Sequence, residues 1–286
     1  MNIEAFVRFT DVNGHEYCGK VSRQQLSGEL TDLTVNILEG TPYTGFQVLE
    51  ERKIISKVLC PLKSTPYIIC IGLNYKKHAE ESRSSIPEYP VVFTKPPDAL
   101  TGPYDTISIH PAAQTTLDYE GELTIVIGRD ARNVSASEAF SCILGYTNGN
   151  DVSARIFQLP HTGGGQFCYA KSFDAFAPIG PAIVLANAVP DLQNLNLSTK
   201  VNGAVRQETS TDDMIWSVAK IVEHLSRGTT LRKGTIIMTG TPSGVGCFMK
   251  PTGYIGDGDI VEVRIEGFGK LANQFVFENR RDAGSL

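Results

Sequence analysis

The 286-residue chain has no basic run longer than a pair such as Lys76-Lys77, and its 31 acidic residues outnumber its 26 Lys and Arg, for a formal charge of −5. The cationic footprint that tracks a phosphate backbone is missing, so no nucleic-acid partner is expected. No apolar run approaches the ~20 residues of a spanning helix. Met1-Asn2-Ile3-Glu4-Ala5-Phe6 has neither a basic nor an apolar leader region, so a cytoplasmic protein without membrane contact is expected. Cys18, Cys60, Cys70, Cys142, Cys168 and Cys247 are scattered, with no C-x-x-C pair and no Cys/His cluster at zinc spacing. They read as core or incidental thiols.

What is present is ordinary globular chemistry. Hydrophobic content of 41% and charged content of 20% suit one large domain or a large plus a small one, while 27 glycines and 15 prolines predict many turns. Asp11-Val12-Asn13-Gly14 between apolar runs predicts a hairpin, and Cys60 to Pro66, with two prolines, reads as the connection out of a small β-rich amino-terminal domain. The division expected is 1–60 and 61–286. Tyr67 to Leu73 reads as a buried strand, Val91 to Lys95 as a strand stopped by prolines, and Cys142 to Tyr146, Ile183 to Leu185 and Thr235 to Met238 as further strands. Ser135 to Phe140 carries a capping box and reads as a helix. Thr211 reads as the cap of a helix running to Ser226. His161 to Gln166, with its glycine triplet, lacks the context of a phosphate loop and reads as a connection. Many short strands, few helices and long connections give a β-rich α+β fold, with sheets curled over each other or rolled into a barrel.

One stretch does not fit a plain core. Leu117 to Gly128 reads as a single strand, and period-two alternation puts Asp118, Glu120 and Glu122 on one face. Residues two apart on a strand lie roughly 6.6 Å apart, close enough to converge on one ion. A solvated edge strand explains the same pattern, and both readings stand at this point. Similarly, His78 and Glu81 at i and i+3 of a short helix give either an imidazole oriented by a carboxylate or a solvated helix face. Residues 83–90 are loop-like and suit a lid.

Gathering the polar strand ends gives Glu120, Glu122, Asp151, Lys95, Arg155, Lys171, Thr241 and the His78/Glu81 pair. Three carboxylates without cysteine make a hard oxygen-donor set, better suited to Mg²⁺, Mn²⁺ or Ca²⁺ than to zinc. Three protein oxygens on an octahedral ion leave room for a chelating 2-oxo acid, with the metal as Lewis acid and Lys171 and Arg155 balancing the substrate's charge.

Leu117-Asp118-Tyr119-Glu120-Gly121-Glu122-Leu123, Gly145 to Arg155, Lys171-Ser172-Phe173-Asp174 and Thr239 to Gly246 together resemble, in order and spacing, the fumarylacetoacetate hydrolase family. The likeness runs from about Pro61 to Leu271. It implies a mixed β-sandwich roll as catalytic domain behind a smaller amino-terminal domain, paired as homodimers. It implies a divalent ion, normally Mg²⁺, on Glu120, Glu122 and Asp151, with Lys171 helping to hold the substrate, Arg155 and Gln158 contacting it, and Thr241 lining the pocket. His78 and Glu81 match a lid dyad that activates water in the small acylpyruvate-cleaving members. The implied chemistry is cleavage of a C–C bond next to a carbonyl, by hydrolysis of a diketo acid or decarboxylation of an oxaloacetate-type acid. The alternatives are a keto–enol tautomerase or other lyase or isomerase on a related acid, and a non-catalytic metal-binding paralogue. Two departures bear on substrate identity. Ile156 stands where members commonly have Asp, and the glycine-rich segment between Gln158 and Lys171 looks specific to this chain.

Overall fold

The computed structural model describes residues 3–279; Met1-Asn2 of the leader reading and residues 280–286 of the 61–286 unit lie outside the described residues. Turn chemistry makes the local pairings. Asn13-Gly14 closes an antiparallel hairpin of Ala5–Thr10 and Glu16–Val21, with Gly14 at φ +81°. Asn202-Gly203, both left-handed, closes Asn196–Val201 onto Ala204–Ser210.

The main sheet has twelve strands among the described residues. Its continuous path runs Gly45–Ile54, Thr34–Thr41, Glu16–Val21, Ala5–Thr10, Ala177–Leu185, Ile143–Asn150, Gly121–Ile127, Ile236–Met238, Ile68–Gly72 and Val91–Lys95. Residues 5–54 thus join the later strands where Ala5 and Phe6 face Val184 and Ile183. Pairing along the path is antiparallel except for Ile236–Met238 beside Ile68–Gly72, so the sheet is mixed. A second sheet of five strands, Ala204–Ser210, Asn196–Val201, Ile260–Ile265, Lys270–Phe277 and Ile107–Ile109, packs beside it. The β-rich α+β roll expected from the sequence is the architecture observed. Among the described residues no helix is long and apolar enough to cross a membrane.

The acidic stretch lies centrally in this frame. It is not one strand: the ladder is interrupted at Tyr119-Glu120, leaving Leu117–Asp118 paired to Ser153–Ala154 and Gly121–Ile127 paired on both sides. Both faces of Gly121–Ile127 are buried, Leu123, Ile125 and Ile127 in one apolar cluster and Val126 in another with Met238. Each such aliphatic contributes about 1.5–3 kcal/mol of burial. The solvated-edge reading is therefore overturned, because the strand is flanked by Ile143–Asn150 and Ile236–Met238 and has no wet side.

Two helix expectations also change. Ser135 and Glu138 make half of the expected capping box, Ser135 N–H donating to Glu138 Oε2 at 2.9 Å while Glu138 N–H turns to Ser135 O, and the segment is a turn followed by a 3₁₀ turn at Ala139–Cys142. A cap satisfies donors but supplies no apolar stripe to continue a helix. The later helix starts at Val218, capped by Ser217, while Thr211–Asp213 is a separate 3₁₀ turn. Between them the chain is held by Asn74, whose carbonyl accepts from Ile215 N at 2.8 Å and whose Oδ1 accepts from Trp216 N at 2.7 Å.

Asn148 clips the two sheets together. Its Nδ2 donates to Gly180 O at 2.8 Å and Phe268 O at 3.2 Å, and its Oδ1 accepts from Ile265 N at 2.7 Å. Replacing it with Leu strands buried backbone groups on both sheets. Urea unfolding of Asn148→Leu is expected to show a loss of about 2–4 kcal/mol; a midpoint within error of wild type would show that the clip is dispensable.

Candidate active site

The interruption at Tyr119-Glu120 is what brings the carboxylates together. Glu120 N–H donates to Asn150 Oδ1 at 2.9 Å and Asp151 N–H donates to Glu120 O at 2.9 Å, so the backbones carrying two of the acids are tied to each other. Gly121 N–H, between Glu120 and Glu122, donates to Gln207 Oε1 at 2.9 Å. Gln207 reaches in from the second sheet and also donates through Nε2 to Thr241 Oγ1 at 2.7 Å and Pro242 O at 2.9 Å. Gly240 adopts φ +103°, and a Cβ there would come within 2.6 Å of Asn74. Its N–H donates to Glu122 Oε2 at 2.7 Å.

Glu120, Glu122 and Asp151 are buried and each offers an oxygen within 4.8 Å of the others. Lys171 Nζ lies 2.8 Å from Glu120 Oε2 and 2.7 Å from Asp151 Oδ2, with the Phe93 ring 4.9 Å away. Arg155 pairs through Nη1 with Glu120 Oε1 at 2.6 Å and through Nε with Asp118 Oδ2 at 2.8 Å. Asp118 also accepts from Gly246 N and Cys247 N, which makes it a holder of Arg155 and of the glycine loop. Lys95 sits behind Asp151. Its Nζ donates to Val152 O and Phe176 O and pairs with Asp151 Oδ1 at 2.5 Å.

The electrostatics are unequal across the cluster. Burial opposes ionisation of Glu120, but Lys171 and Arg155 beside it hold its carboxyl down to about 2. Burial, with Asp151 and then Glu120 nearby, pushes Glu122 well above the usual carboxylate range. Burial works to lower Lys171, yet Asp151 and Glu120 raise it above the usual lysine value. Four carboxylates, counting Asp118, face three cations, and Glu122 has no cation within pairing distance among the described residues. An ion beside Glu122 would remove that imbalance. The all-oxygen donor set, with Glu122 left without a paired cation among the described residues, fits a hard divalent cation.

Above the carboxylates lies a cavity of about 420 Å³ lined by Glu120, Lys171, Arg155, Gln158, Thr241 and His78 among others. His78 rides on the short helix Lys76–Glu81, and its Nδ1 lies 3.0 Å from Glu81 Oε2. Glu81 Oε1 accepts from Gly244 N at 2.9 Å, so the carboxylate that aligns the imidazole also fastens the helix to the glycine loop. With Nδ1–H donated to Glu81, the lone pair on Nε2 is left free of protein partners among the described residues.

Of the residues singled out in the sequence, Glu120, His78, Arg155, Gln158, Lys171 and Thr241 line this cavity, Glu122 and Asp151 complete the carboxylate cluster below, and Lys95 lies outside the lining. Gln207 and Asn150 were not anticipated. Gln207 follows an exposed Val205 in an ordinary hairpin, and no spacing rule marks it.

The family model for the fumarylacetoacetate (FAA) hydrolase C-terminal region matches residues 67–276. The chain belongs to this family. It is 42% identical over 228 residues to "Oxaloacetate tautomerase YisK" of Bacillus subtilis (strain 168), covering 79% of this chain and 74% of that protein. It is 36% identical over 248 residues to "Oxaloacetate tautomerase FAHD2A, mitochondrial" of Bos taurus, covering 87% and 78%. Among solved structures it is similar to 2-hydroxyhepta-2,4-diene-1,7-dioate isomerase from Mycobacterium marinum, with a TM-score of 0.81, 36% identity, and 97% and 100% of the two chains covered.

Two outcomes follow from this geometry. Glu122→Gln is expected to abolish Mg²⁺ binding in a calorimetric titration, and an unchanged isotherm would remove Glu122 from the ligand set. Gln207→Leu, which frees the backbone between Glu120 and Glu122, is expected to weaken Mg²⁺ binding by about 10–100-fold while Gln207→Glu retains more of it. Equal affinity in all three proteins would make Gln207 a packing residue only.

Proposed function

We propose that the chain is a metal-dependent enzyme of 2-oxo acids that interconverts their keto and enol forms. The observation that carries this reading is the placement of His78, aligned by Glu81, in the same cavity as the Lys171 and Glu120 floor. Two of the relatives are named oxaloacetate tautomerases and one similar structure is an isomerase, which agrees with it.

Glu120, Glu122 and Asp151 would hold the divalent ion, read as Mg²⁺, which supplies Lewis-acid polarisation of the keto oxygen. Arg155 binds the acid's carboxylate through Nη2, a buried nitrogen without a protein partner among the described residues. Lys171, held in its charged form by two carboxylates, keeps the floor from repelling that anion. His78 Nε2 takes a proton from the carbon next to the keto group, and protonation at oxygen gives the enol; the reverse transfer restores the ketone, with no atom gained or lost. Glu81 stabilises the imidazolium formed in between.

The second reading is C–C cleavage, by hydrolysis of a diketo acid or by decarboxylation. It is favoured by Ser82 and Ser84, which line the cavity beside His78 and suit an ordered water. The family resemblance extends the reading to residues 61–286 as catalytic domain and 1–60 as smaller domain, in a cytoplasmic homodimer. Light scattering of the purified protein checks the assembly.

The reactions separate experimentally. With Mg²⁺, oxaloacetate is expected to lose its enol absorbance faster than in buffer without matching release of CO₂. Chelator should stop this, and His78→Ala should slow it by about 10²–10⁴-fold. Stoichiometric CO₂ would make the enzyme a decarboxylase, and no turnover of any 2-oxo or diketo acid would leave a metal-binding paralogue.

A further inference from the structure

Both departures from the family pattern, Ile156 and the segment after Gln158, fall on the same cavity, where Ile156, Leu159 and Phe167 are part of the wall. Phe93 and Phe248 extend the apolar surface around the charged floor. Phe167 sets its edge on Phe93, with ring centroids 5.7 Å apart at 83°, and Phe248 lies 6.0 Å from the His78 ring. Leu159 is 40% exposed and Phe248 43%, so the wall stays open toward the mouth.

The cations are already committed. Lys171 is shared by Glu120 and Asp151; Arg155 gives Nε to Asp118 and Nη1 to Glu120 and Gln158, leaving Nη2 as its one buried nitrogen without a partner among the described residues. Lys95 is enclosed behind Asp151 and does not line the cavity. The site can therefore pair one carboxylate head. A second carboxylate beyond the keto carbon would find no further Lys or Arg in the lining, only neutral donors such as Ser82, Ser84, Thr116 and Tyr254 beside the apolar Ile156, Leu159 and Phe167, a costly arrangement for a charge. An alkyl or aryl group there would instead cover apolar side chains.

We infer that this cavity selects 2-oxo acids whose substituent beyond the keto carbon is apolar, alkyl or aryl, in place of a second carboxylate. The inference rests on the keto–enol reading for its catalytic form and on the cavity alone for its binding form.

The test compares phenylpyruvate with oxaloacetate on the Mg²⁺-loaded protein, by enol absorbance for turnover and by calorimetry for binding. Phenylpyruvate is expected to be preferred by at least about tenfold in kcat/KM and in Kd. Phe167→Ser should reduce that preference, read as the ratio of the two acids' kcat/KM and of their Kd, by about tenfold, and Leu159→Ser at the open mouth serves where the first variant unfolds. Equal treatment of the two acids, a preference for oxaloacetate, or a preference that survives both substitutions would overturn the inference. Tight, selective binding of phenylpyruvate without turnover of either acid would overturn the keto–enol reading and uphold this one. Failure to bind either acid would overturn both.

Discussion

Buried like charges have to be reconciled, and this requirement governs the molecule's centre. Asp118, Glu120, Glu122 and Asp151 are all removed from solvent around one point. In so dry a place unpaired carboxylates cost several kcal/mol each, so the fold has to deliver cations to them. Lys171 comes from the loop before strand Ala177–Leu185, Arg155 from the turn after Asp151, and Lys95 from the end of an edge strand. The elements that bring these groups together are remote in sequence, so the cluster is as much an organiser of the tertiary structure as a product of it. Glu122 is the one acid left without a cation, and that asymmetry singles out where further positive charge belongs.

Backbone geometry then does what side chains alone could not. A regular strand through Leu117–Gly128 would keep Glu120 and Glu122 in strict alternation beside Asp118. Interrupting it at Tyr119-Glu120 frees Asp118 to hold Arg155 while Glu120 and Glu122 converge with Asp151. The interruption removes ladder partners, and buried N–H groups need replacements. Asn150 and Gln207 supply them from two different sheets.

This explains what could be read from the sequence and what could not. Residue types and spacings announced the carboxylates, the His78/Glu81 pair and the Asn-Gly hairpins, because each is a local pattern whose chemistry does not depend on the rest of the chain. The role of Gln207 was illegible, since a glutamine in a hairpin strand looks the same whether it faces water or a strand break 86 residues away. Glu138 capped Ser135 N–H without a helix following, and the helix expected from Thr211 began after Ser217 because Asn74, more than 140 residues earlier, held Ile215 and Trp216 in a bend. Local signals were correct about local hydrogen bonds. They erred where a distant side chain decided the backbone's course.

The coupling of floor to lid is the last consequence. Glu81 uses one oxygen to align His78 and the other to accept from Gly244 N, and Gly244 belongs to the loop whose Gly240 N–H donates to Glu122 and whose Gly246 N–H donates to Asp118. Gly244 sits at φ +100°, and a Cβ there would meet Arg206 O at 2.0 Å, so only glycine permits this approach. One loop thus carries donors for the lid carboxylate and for two carboxylates of the floor. Alignment of the imidazole and order in the acidic cluster therefore depend on the same stretch of backbone. Whatever reaction the cavity carries, the imidazole above and the charged floor below are positioned together by this one loop, without a separate device.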